Sequence, residues 1–209
     1  MPVQEIYTKL RAAGLSHAGA LGMIGNLRAE SSLIPNIAQR GMTGLSDAAY
    51  TEKYDKSPAA CIRDGVGYGL AQWTYPSRKQ ALSDFARSRG KSVGDKNMQL
   101  DFIVRELKGD FPGLYAFLCD TDDIYAAADR ICREFERPAV NNVERRYQLA
   151  LEAEKSCKAA PKGLIPELIP LLEQLLELLR RDGLDLPAGC VNFDACVDAL
   201  VRLYEGGVR

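Results

Sequence analysis

A single carboxylate lies where a helical sequence pattern ends. In the stretch "GNLRAESS", Gly25–Ser32, Glu30 is followed by small polar residues and by a segment without regular helical periodicity. A glutamate at the end of a helix can enter a cleft while the helix body holds it rigidly. General acid catalysis requires a proton donor held in this way. Glu30 is therefore the first candidate for proton transfer.

A glycine-rich stretch forms the second candidate segment. In "RDGVGYGLAQW", Arg63–Trp73, an extended backbone would place Gly65, Gly67 and Gly69 on one face, because side chains alternate along a strand. Glycine then leaves bare backbone that a ligand or another chain segment can approach closely. The spacing lacks both the Lys-Ser/Thr ending of a P-loop and the pattern of a dinucleotide fold, which argues against nucleotide binding.

Polar and aromatic side chains flank these glycines. Gln72 offers an amide for hydrogen bonding, and the ring of Trp73 can stack on a sugar, although Trp73 also fits a core position. Asp64 fits either a turn or a second carboxyl. Glycoside cleavage needs one protonated carboxyl and a second group that stabilises positive charge or directs water. A glutamate at a helix end that faces a glycine-rich segment with a nearby aspartate is the arrangement expected for glycoside cleavage, and Glu30 with Asp64 is one candidate pair for it.

Helices must position these residues. The apolar spacing predicts a helix over Val3–Ala13 and a second helix that Ser16 caps and that ends near Glu30. The glycines of this second helix predict close packing against another backbone. From Ser31 to about Gly69 we expect loops with short strands or turns.

The segment after "WTYPS" returns to helical patterns. Pro76 suits a first helical turn and Gly90 a stop, Asp95 caps the next helix, and a further helix opens at "TDD" and must end before Pro138. "NNVERRYQLALEAEKS" adds another helix. We expect a mainly α domain of the α+β type with a small β or loop region beside Glu30, over residues 1–157.

A linker, "CKAAPKG", precedes a leucine-rich amphipathic helix and a shorter helix. We expect residues 158–209 to form a C-terminal helical extension. It either packs as a hairpin on the main domain or on a second copy, or serves membrane or wall targeting. Its acidic residues and lack of a basic face disfavour an anionic membrane.

Composition excludes several classes of protein. The 209 residues carry 27 Lys and Arg against 28 Asp and Glu, without the basic excess that nucleic acid requires. The N-terminus has neither a signal peptide nor an apolar anchor, so we expect a soluble chain made in the cytoplasm. Six scattered cysteines and one histidine, His17, give no zinc ligand set. We expect reduced thiols, with Cys119–Cys132 and Cys190–Cys196 as the pairs to check.

Four segments together resemble the phage tail lysozyme family, whose members cleave peptidoglycan. They are "GALGMIGNLRAESSLIPN", "GYGLAQWTYPSRKQAL", "KSVGDKNMQLDFIVREL" and "FERPA", in this order, and the resemblance runs from about Ser16 to Tyr147. It implies a lysozyme-like fold in which Glu30, within "NLRAES", matches the catalytic acid. It also supports Tyr68, Gln72 and Trp73 as cleft residues, and Asp64 less directly.

The resemblance leaves some roles open. Glu136 and Arg137 lie in the matching "FERP", where an ion pair that braces the cleft and a contact of Arg137 with sugar fit equally. His17 is expected at the surface or at a helix start.

The resemblance predicts a muramidase that cuts the β-1,4 bond between N-acetylmuramic acid and N-acetylglucosamine, without metal or organic cofactor. Its partners are bacterial glycan strands, and it waits in the host cytoplasm before release to the wall or acts in a virion tail. The alternatives are a lytic transglycosylase, which needs no second carboxylate, and a non-catalytic virion protein that binds glycan.

Overall fold

The computed structural model describes residues 3–158, which are mainly helical. The helices are α1 Val3–Ala12, α2 His17–Ser31, α3 Asp47–Lys56, α4 Ala59–Ile62, α5 Pro76–Ser88, α6 Lys96–Gly109, α7 Pro112–Asp120, α8 Ile124–Arg130, a π-helix Ile131–Glu136, and α9 Val143–Lys158. The predicted mainly α class is confirmed. The predicted C-terminal extension, with Cys190 and Cys196, lies outside the described residues.

Helix α2 is the centre of the domain. Residues 18–27 are all buried, because α2 packs chiefly against α9 and α8 and also contacts α1, α7 and the π-helix. Ser16 caps α2 by accepting a hydrogen bond from the Gly19 amide at 2.9 Å, as predicted. His17 is the first residue of the helix, also as predicted. At its other end, α2 regains partial exposure at residues 28–30, which include Glu30.

Three glycines allow α2 to approach its neighbours. A Cβ at Gly19 would lie 2.1 Å from the Leu118 carbonyl oxygen, and a Cβ at Gly25 would lie 2.3 Å from the Arg146 carbonyl oxygen. At Gly22, a Cβ would meet Ala127 at 2.6 Å. The prediction of close backbone packing is therefore confirmed. The helix that carries Glu30 is positioned by direct contact with the backbone of α9, which carries Arg146.

The segment between α2 and α5 is more helical than its sequence predicts. We expected loops and short strands from Ser31 to Gly69, but this stretch contains α3, which Ser46 caps, and the short α4. Only Tyr50 and Tyr54 of α3 are buried, so the helix lacks a continuous apolar stripe.

The glycine-rich stretch is a set of turns rather than a strand. Gly65 and Gly69 have φ values of +72° and +77°, in the left-handed region that an extended strand excludes. Among the described residues, β pairing is limited to isolated bridges from Tyr68 to Ala38 and from Tyr68 to Trp73. The expected small β region is thus reduced to turns joined by these bridges.

Other local predictions hold. Pro76 lies in the first turn of α5, Asp95 caps α6 through the Met98 amide at 2.8 Å, and the π-helix ends before Pro138. Four cysteines, Cys61, Cys119, Cys132 and Cys157, are free thiols, so no Cys119–Cys132 disulfide forms. Within residues 3–158, no helix is long and apolar enough to cross a bilayer.

Candidate active site

Glu30 is held at the end of α2 by an arginine from α9. Arg146 Nη2 donates a hydrogen bond to Glu30 Oε1 at 2.6 Å, a charge-assisted contact between residues 116 positions apart. The Glu30 side chain is 18% exposed and that of Arg146 is 6% exposed. One carboxyl oxygen is therefore fixed by the protein while part of the side chain reaches solvent, as a group that meets a bound substrate requires.

Arg146 makes a further hydrogen bond inside the domain but keeps one nitrogen without a partner. Its Nη1 donates to Asn26 Oδ1 at 3.0 Å, and the Asn26 amide in turn donates to the carbonyls of Gly22 and Ala128. The Arg146 Nε atom is buried with no hydrogen-bond partner. Buried unpaired donors are rare in folded proteins and recur at functional sites.

Glu136 supplies a second carboxyl beside Glu30. It ends the π-helix, which packs on α2, and its Oε1 atom is buried without a hydrogen-bond partner. Burial raises the pKa of Glu136 well above its usual range. The negative charge of Glu30 raises this pKa further, whereas Arg78 and Arg146 lower it. Its environment therefore disfavours the charged form of Glu136.

A buried charge cluster around Arg78 and Glu106 also acts on the pKa of Glu136. Arg78 of α5 donates to both carboxyl oxygens of Glu106, at 2.7 and 2.8 Å, and to the Phe135 carbonyl at 3.1 Å. The Trp73 indole nitrogen donates to Glu106 Oε2 at 2.9 Å. These contacts tie the loop before α5, helix α6 and the end of the π-helix together, directly beside Glu136.

Asp64 is occupied by structural contacts. It accepts hydrogen bonds from Lys79 Nζ at 2.8 Å, from the Tyr50 hydroxyl at 2.7 Å and from the Val66 amide at 2.9 Å. Burial alone would raise the pKa of Asp64, but the hydrogen bonds from these three donors outweigh it and lower the pKa. Lys79 is fully buried, so Asp64 serves as the counter-charge of an ammonium group inside the domain.

Two aromatic residues predicted to contact glycan are core residues. Trp73 and Tyr68 are both 0% exposed. The Trp73 ring packs edge-on against Phe102, and the Tyr68 ring packs against Tyr50 and Tyr54. This burial contradicts the prediction that Trp73 and Tyr68 stack on or contact a sugar, because neither ring presents a face to solvent.

Gln72 and Arg137 keep exposed surface. The Gln72 amide donates to the carbonyls of Gly69 and Ile37, and Arg137 Nε donates to the Glu134 carbonyl at 2.8 Å. Both residues have left-handed backbone conformations, with φ of 42° and 51°. Non-glycine residues in a left-handed conformation cost energy and cluster at functional sites. The ion pair considered between Arg137 and its neighbour Glu136 does not form.

Sequence reasoning missed the charged residues that hold the site. Arg146 follows the helical spacing of the buried residues Val143, Ala150 and Ala153 of α9. It therefore lies on the apolar face of this helix. Glu106 likewise lies on the buried face of α6, together with Phe102 and other core residues. A charged residue on the buried face of a helix requires a partner, so this pattern was the available signal.

No metal centre is formed in the part of the chain that the structure describes, where no group of three or more His, Cys, Asp or Glu side chains is placed to hold an ion. The fold and site define a helical domain whose central helix presents the arginine-bound carboxyl of Glu30, with a second carboxyl, Glu136, whose pKa burial raises. That arrangement is typical of acid-catalysed bond cleavage.

The family of this chain follows from a direct match. The family model described as phage tail lysozyme matches residues 3–155. The chain therefore belongs to the phage tail lysozyme family, as its motifs predict, and is in that general sense a phage peptidoglycan hydrolase. A comparison with curated protein sequences finds no match.

Proposed function

We propose that the protein is an N-acetylmuramidase that hydrolyses the β-1,4 bond between N-acetylmuramic acid and N-acetylglucosamine, with Glu30 as the general acid. The observation that carries this proposal is the fixed, partly exposed carboxyl of Glu30 at the end of a buried helix. Family membership supplies peptidoglycan as the substrate class. The enzyme reaches the wall as part of a phage tail or as a lysis enzyme released from the host cytoplasm.

The surrounding residues support proton transfer at Glu30. Close backbone contact at Gly25 and the Arg146 hydrogen bond leave the carboxyl little freedom, and such preorganisation lowers the barrier of a proton-transfer step. Gln72 and Arg137, which retain exposed surface, are the proposed glycan contacts. Asp64 stays a prediction as a catalytic group, and its three hydrogen bonds favour a structural role.

The test is mass spectrometry of purified peptidoglycan digested by the wild-type protein and by Glu30→Gln. We expect muropeptides with reducing muramic acid ends from the wild type and none from the variant. Glu152→Gln is the matched control, because Glu152 pairs with Arg28 at 2.9 Å across the same α2–α9 interface. This control should cleave like the wild type.

A second variant separates loss of chemistry from loss of folding. Glu30→Asp keeps a charge for Arg146 but withdraws the carboxyl by one methylene, so we expect a folded protein with strongly reduced cleavage. Reducing ends that persist in Glu30→Gln would refute the role of Glu30. Anhydro-muramic products would instead identify a lytic transglycosylase, and no cleavage by any of these proteins would favour a glycan-binding role.

A further inference from the structure

Asn26 is a buried polar residue that joins three helices. Its side chain is 0% exposed and lies on α2, about one helical turn before Glu30. The amide nitrogen donates to the Gly22 carbonyl of the same helix at 2.9 Å and to the Ala128 carbonyl of α8 at 3.1 Å. The amide oxygen accepts from Arg146 Nη1 of α9 at 3.0 Å. Both polar atoms of this buried amide therefore have partners, as burial of such a group requires.

A single guanidinium bridges Asn26 and Glu30. Because the two residues are four positions apart on α2, their side chains lie on the same face of the helix. Arg146 reaches this face from α9 and donates with Nη1 to Asn26 Oδ1 at 3.0 Å and with Nη2 to Glu30 Oε1 at 2.6 Å. The guanidinium is a rigid, planar fork, so a bond at one terminal nitrogen fixes the direction of the other. Since Arg146 Nε has no partner, these two bonds set the angle at which Arg146 meets Glu30.

The backbone brings α8 and α9 to α2 at the level of Asn26. A Cβ at Gly25 would lie 2.3 Å from the Arg146 carbonyl oxygen, and a Cβ at Gly22 would lie 2.9 Å from the Ala128 amide nitrogen. The residues that bond to the Asn26 side chain are thus the same ones that touch α2 through their backbones. A short side chain such as asparagine therefore reaches both neighbouring helices directly.

We propose that Asn26 is a positioning residue for glycan cleavage, which orients the Arg146 guanidinium so that Arg146 binds one carboxyl oxygen of Glu30 and leaves the other free to donate. The bound oxygen is Oε1, whereas Glu30 Oε2 accepts no hydrogen bond from the residues that the structure describes. The proposal rests on the proposed function, because it assigns how the general acid is oriented.

The assignment of Oε2 gives a balanced reaction. The proton leaves Glu30 Oε2 for the glycosidic oxygen as the bond from that oxygen to the anomeric carbon breaks. Water adds its hydroxyl to this carbon and returns a proton to the carboxyl. Throughout the cycle, Arg146 stays bound to Asn26 and keeps Oε1 turned away from the reaction.

The absence of charge on Asn26 leaves the attraction of Arg146 to Glu30. The other titratable groups that face the guanidinium are Glu136 and Cys132 of the π-helix. Burial raises the pKa of both groups, and the charge of Arg146 lowers both. Helix α8 contributes the uncharged Ala128 carbonyl, through Asn26. An amide at position 26 thus anchors the guanidinium without adding an anion that would compete for it.

The pH dependence of kcat and kcat/KM on soluble glycan fragments tests this proposal with Asn26→Leu. Leucine keeps the branched shape but accepts no hydrogen bond, so we expect kcat to fall about tenfold or more while KM changes less than about twofold. A carboxylate whose cationic partner is less firmly held keeps its proton to higher pH, so the alkaline limb should move upward by about half a pH unit or more.

Ser31→Ala is the matched control. Ser31 is 2% exposed and follows Glu30, and its hydroxyl donates to the Leu27 carbonyl at 3.0 Å without contacting Arg146. This variant also loses a buried hydrogen bond at the end of α2, but it should leave the alkaline limb in place. A limb that Asn26→Leu leaves where Ser31→Ala leaves it would overturn the proposal, whatever the loss of rate.

Arg146→Lys keeps the test decisive if Asn26→Leu does not fold. Lysine keeps the positive charge but replaces the rigid fork by a single ammonium, whose direction Asn26 cannot fix. We expect a loss of kcat as in Asn26→Leu. Wild-type kcat in a folded Arg146→Lys protein would overturn the proposal, because a charge near Glu30 would then suffice.

A further readout does not depend on activity. Hydrogen bonds at both terminal nitrogens hinder rotation of the guanidinium, so ¹⁵N NMR of the wild type should show separate Arg146 Nη1 and Nη2 signals. Asn26→Leu should merge them and Ser31→Ala should not. Signals that stay separate in Asn26→Leu would refute the positioning role even if Glu30 is the general acid. Merged signals in Asn26→Leu, together with a wild type that cleaves no glycan, would support the orientation of Arg146 by Asn26 and refute the proposed function.

Discussion

Replacing Asp64 by asparagine tests whether this carboxylate is structural or catalytic. Lys79 Nζ donates to Asp64 Oδ1, to the Tyr50 hydroxyl and to the Val66 carbonyl, at 2.8–2.9 Å. Lys79 is 0% exposed, so its charge cannot be hydrated when its counter-charge is removed. Asp64→Asn keeps the shape of the side chain but leaves a buried ammonium without an anion.

The expected cost follows from the burial of the pair. Breaking a buried ion pair from one side destabilises a protein by about 3–5 kcal/mol. Since Asp64 is 21% exposed, we expect the lower end of this range, about 3 kcal/mol. For a domain of this size that corresponds to a decrease in Tm of roughly 6–12 °C. Lys79→Met should cost less, because Asp64 can still be hydrated.

Thermal unfolding and peptidoglycan cleavage are measured for Asp64→Asn, Lys79→Met and the double variant. The double variant removes the unpaired charge, so it should be more stable than Asp64→Asn and should cleave like the wild type at a temperature where both are folded. The stability advantage of the wild type over Asp64→Asn should shrink as pH falls through the lowered pKa of Asp64, below about 4, because protonation neutralises the wild-type carboxylate. A stable double variant without activity would refute the structural interpretation and restore Asp64 as a catalytic group.

Three further predictions concern other parts of the domain. Trp73→Phe should cost about 1–3 kcal/mol through the lost hydrogen bond to Glu106, and the fluorescence of Trp73, the single tryptophan of the chain, should not change when glycan fragments bind. Gly25→Ala should cost about 1–3 kcal/mol and reduce cleavage in a folded protein, because the added Cβ displaces the backbone of α9, whereas Gly113→Ala, where a Cβ meets nothing within 4 Å, should do neither. Glu136→Gln should gain in Tm relative to the wild type as pH rises from 4 to 8. In the wild type, the raised pKa of Glu136 makes the folded state bind a proton that the unfolded state releases, so rising pH destabilises the fold, and glutamine removes this effect.

The sequence predicts the parts of this fold that local patterns determine. Helix α2, its Ser16 cap and its close packing follow from neighbouring residues, and so does the Asp95 cap of α6. The position of Glu30 in the last turn of α2 is also predictable, because the helical pattern ends there. Helix α3 is missed because only Tyr50 and Tyr54 are buried in it, which leaves too weak an apolar pattern.

The sequence does not predict which distant charges meet. The partner of Glu30 lies 116 residues further along the chain, and Trp73 bonds to Glu106 from 33 residues away. The local sequence around a tryptophan that follows a polar residue is the same whether the ring binds sugar or lies in the core. Its assignment to glycan binding was wrong because tertiary packing, which local spacing does not encode, buries the ring completely.

The burial of residues 18–27 of α2 has a dynamic consequence for the enzyme. Local opening of a protein begins in segments with few buried contacts, whereas residues 18–27 lie inside the domain and are enclosed by other helices. Their amide hydrogens should therefore exchange with solvent only when the whole domain unfolds. Glu30 lies in the last turn of the same helix and is bound by Arg146, so we expect heating to leave it in place until the fold is lost. Loss of lytic activity and loss of helical structure should accordingly coincide in temperature.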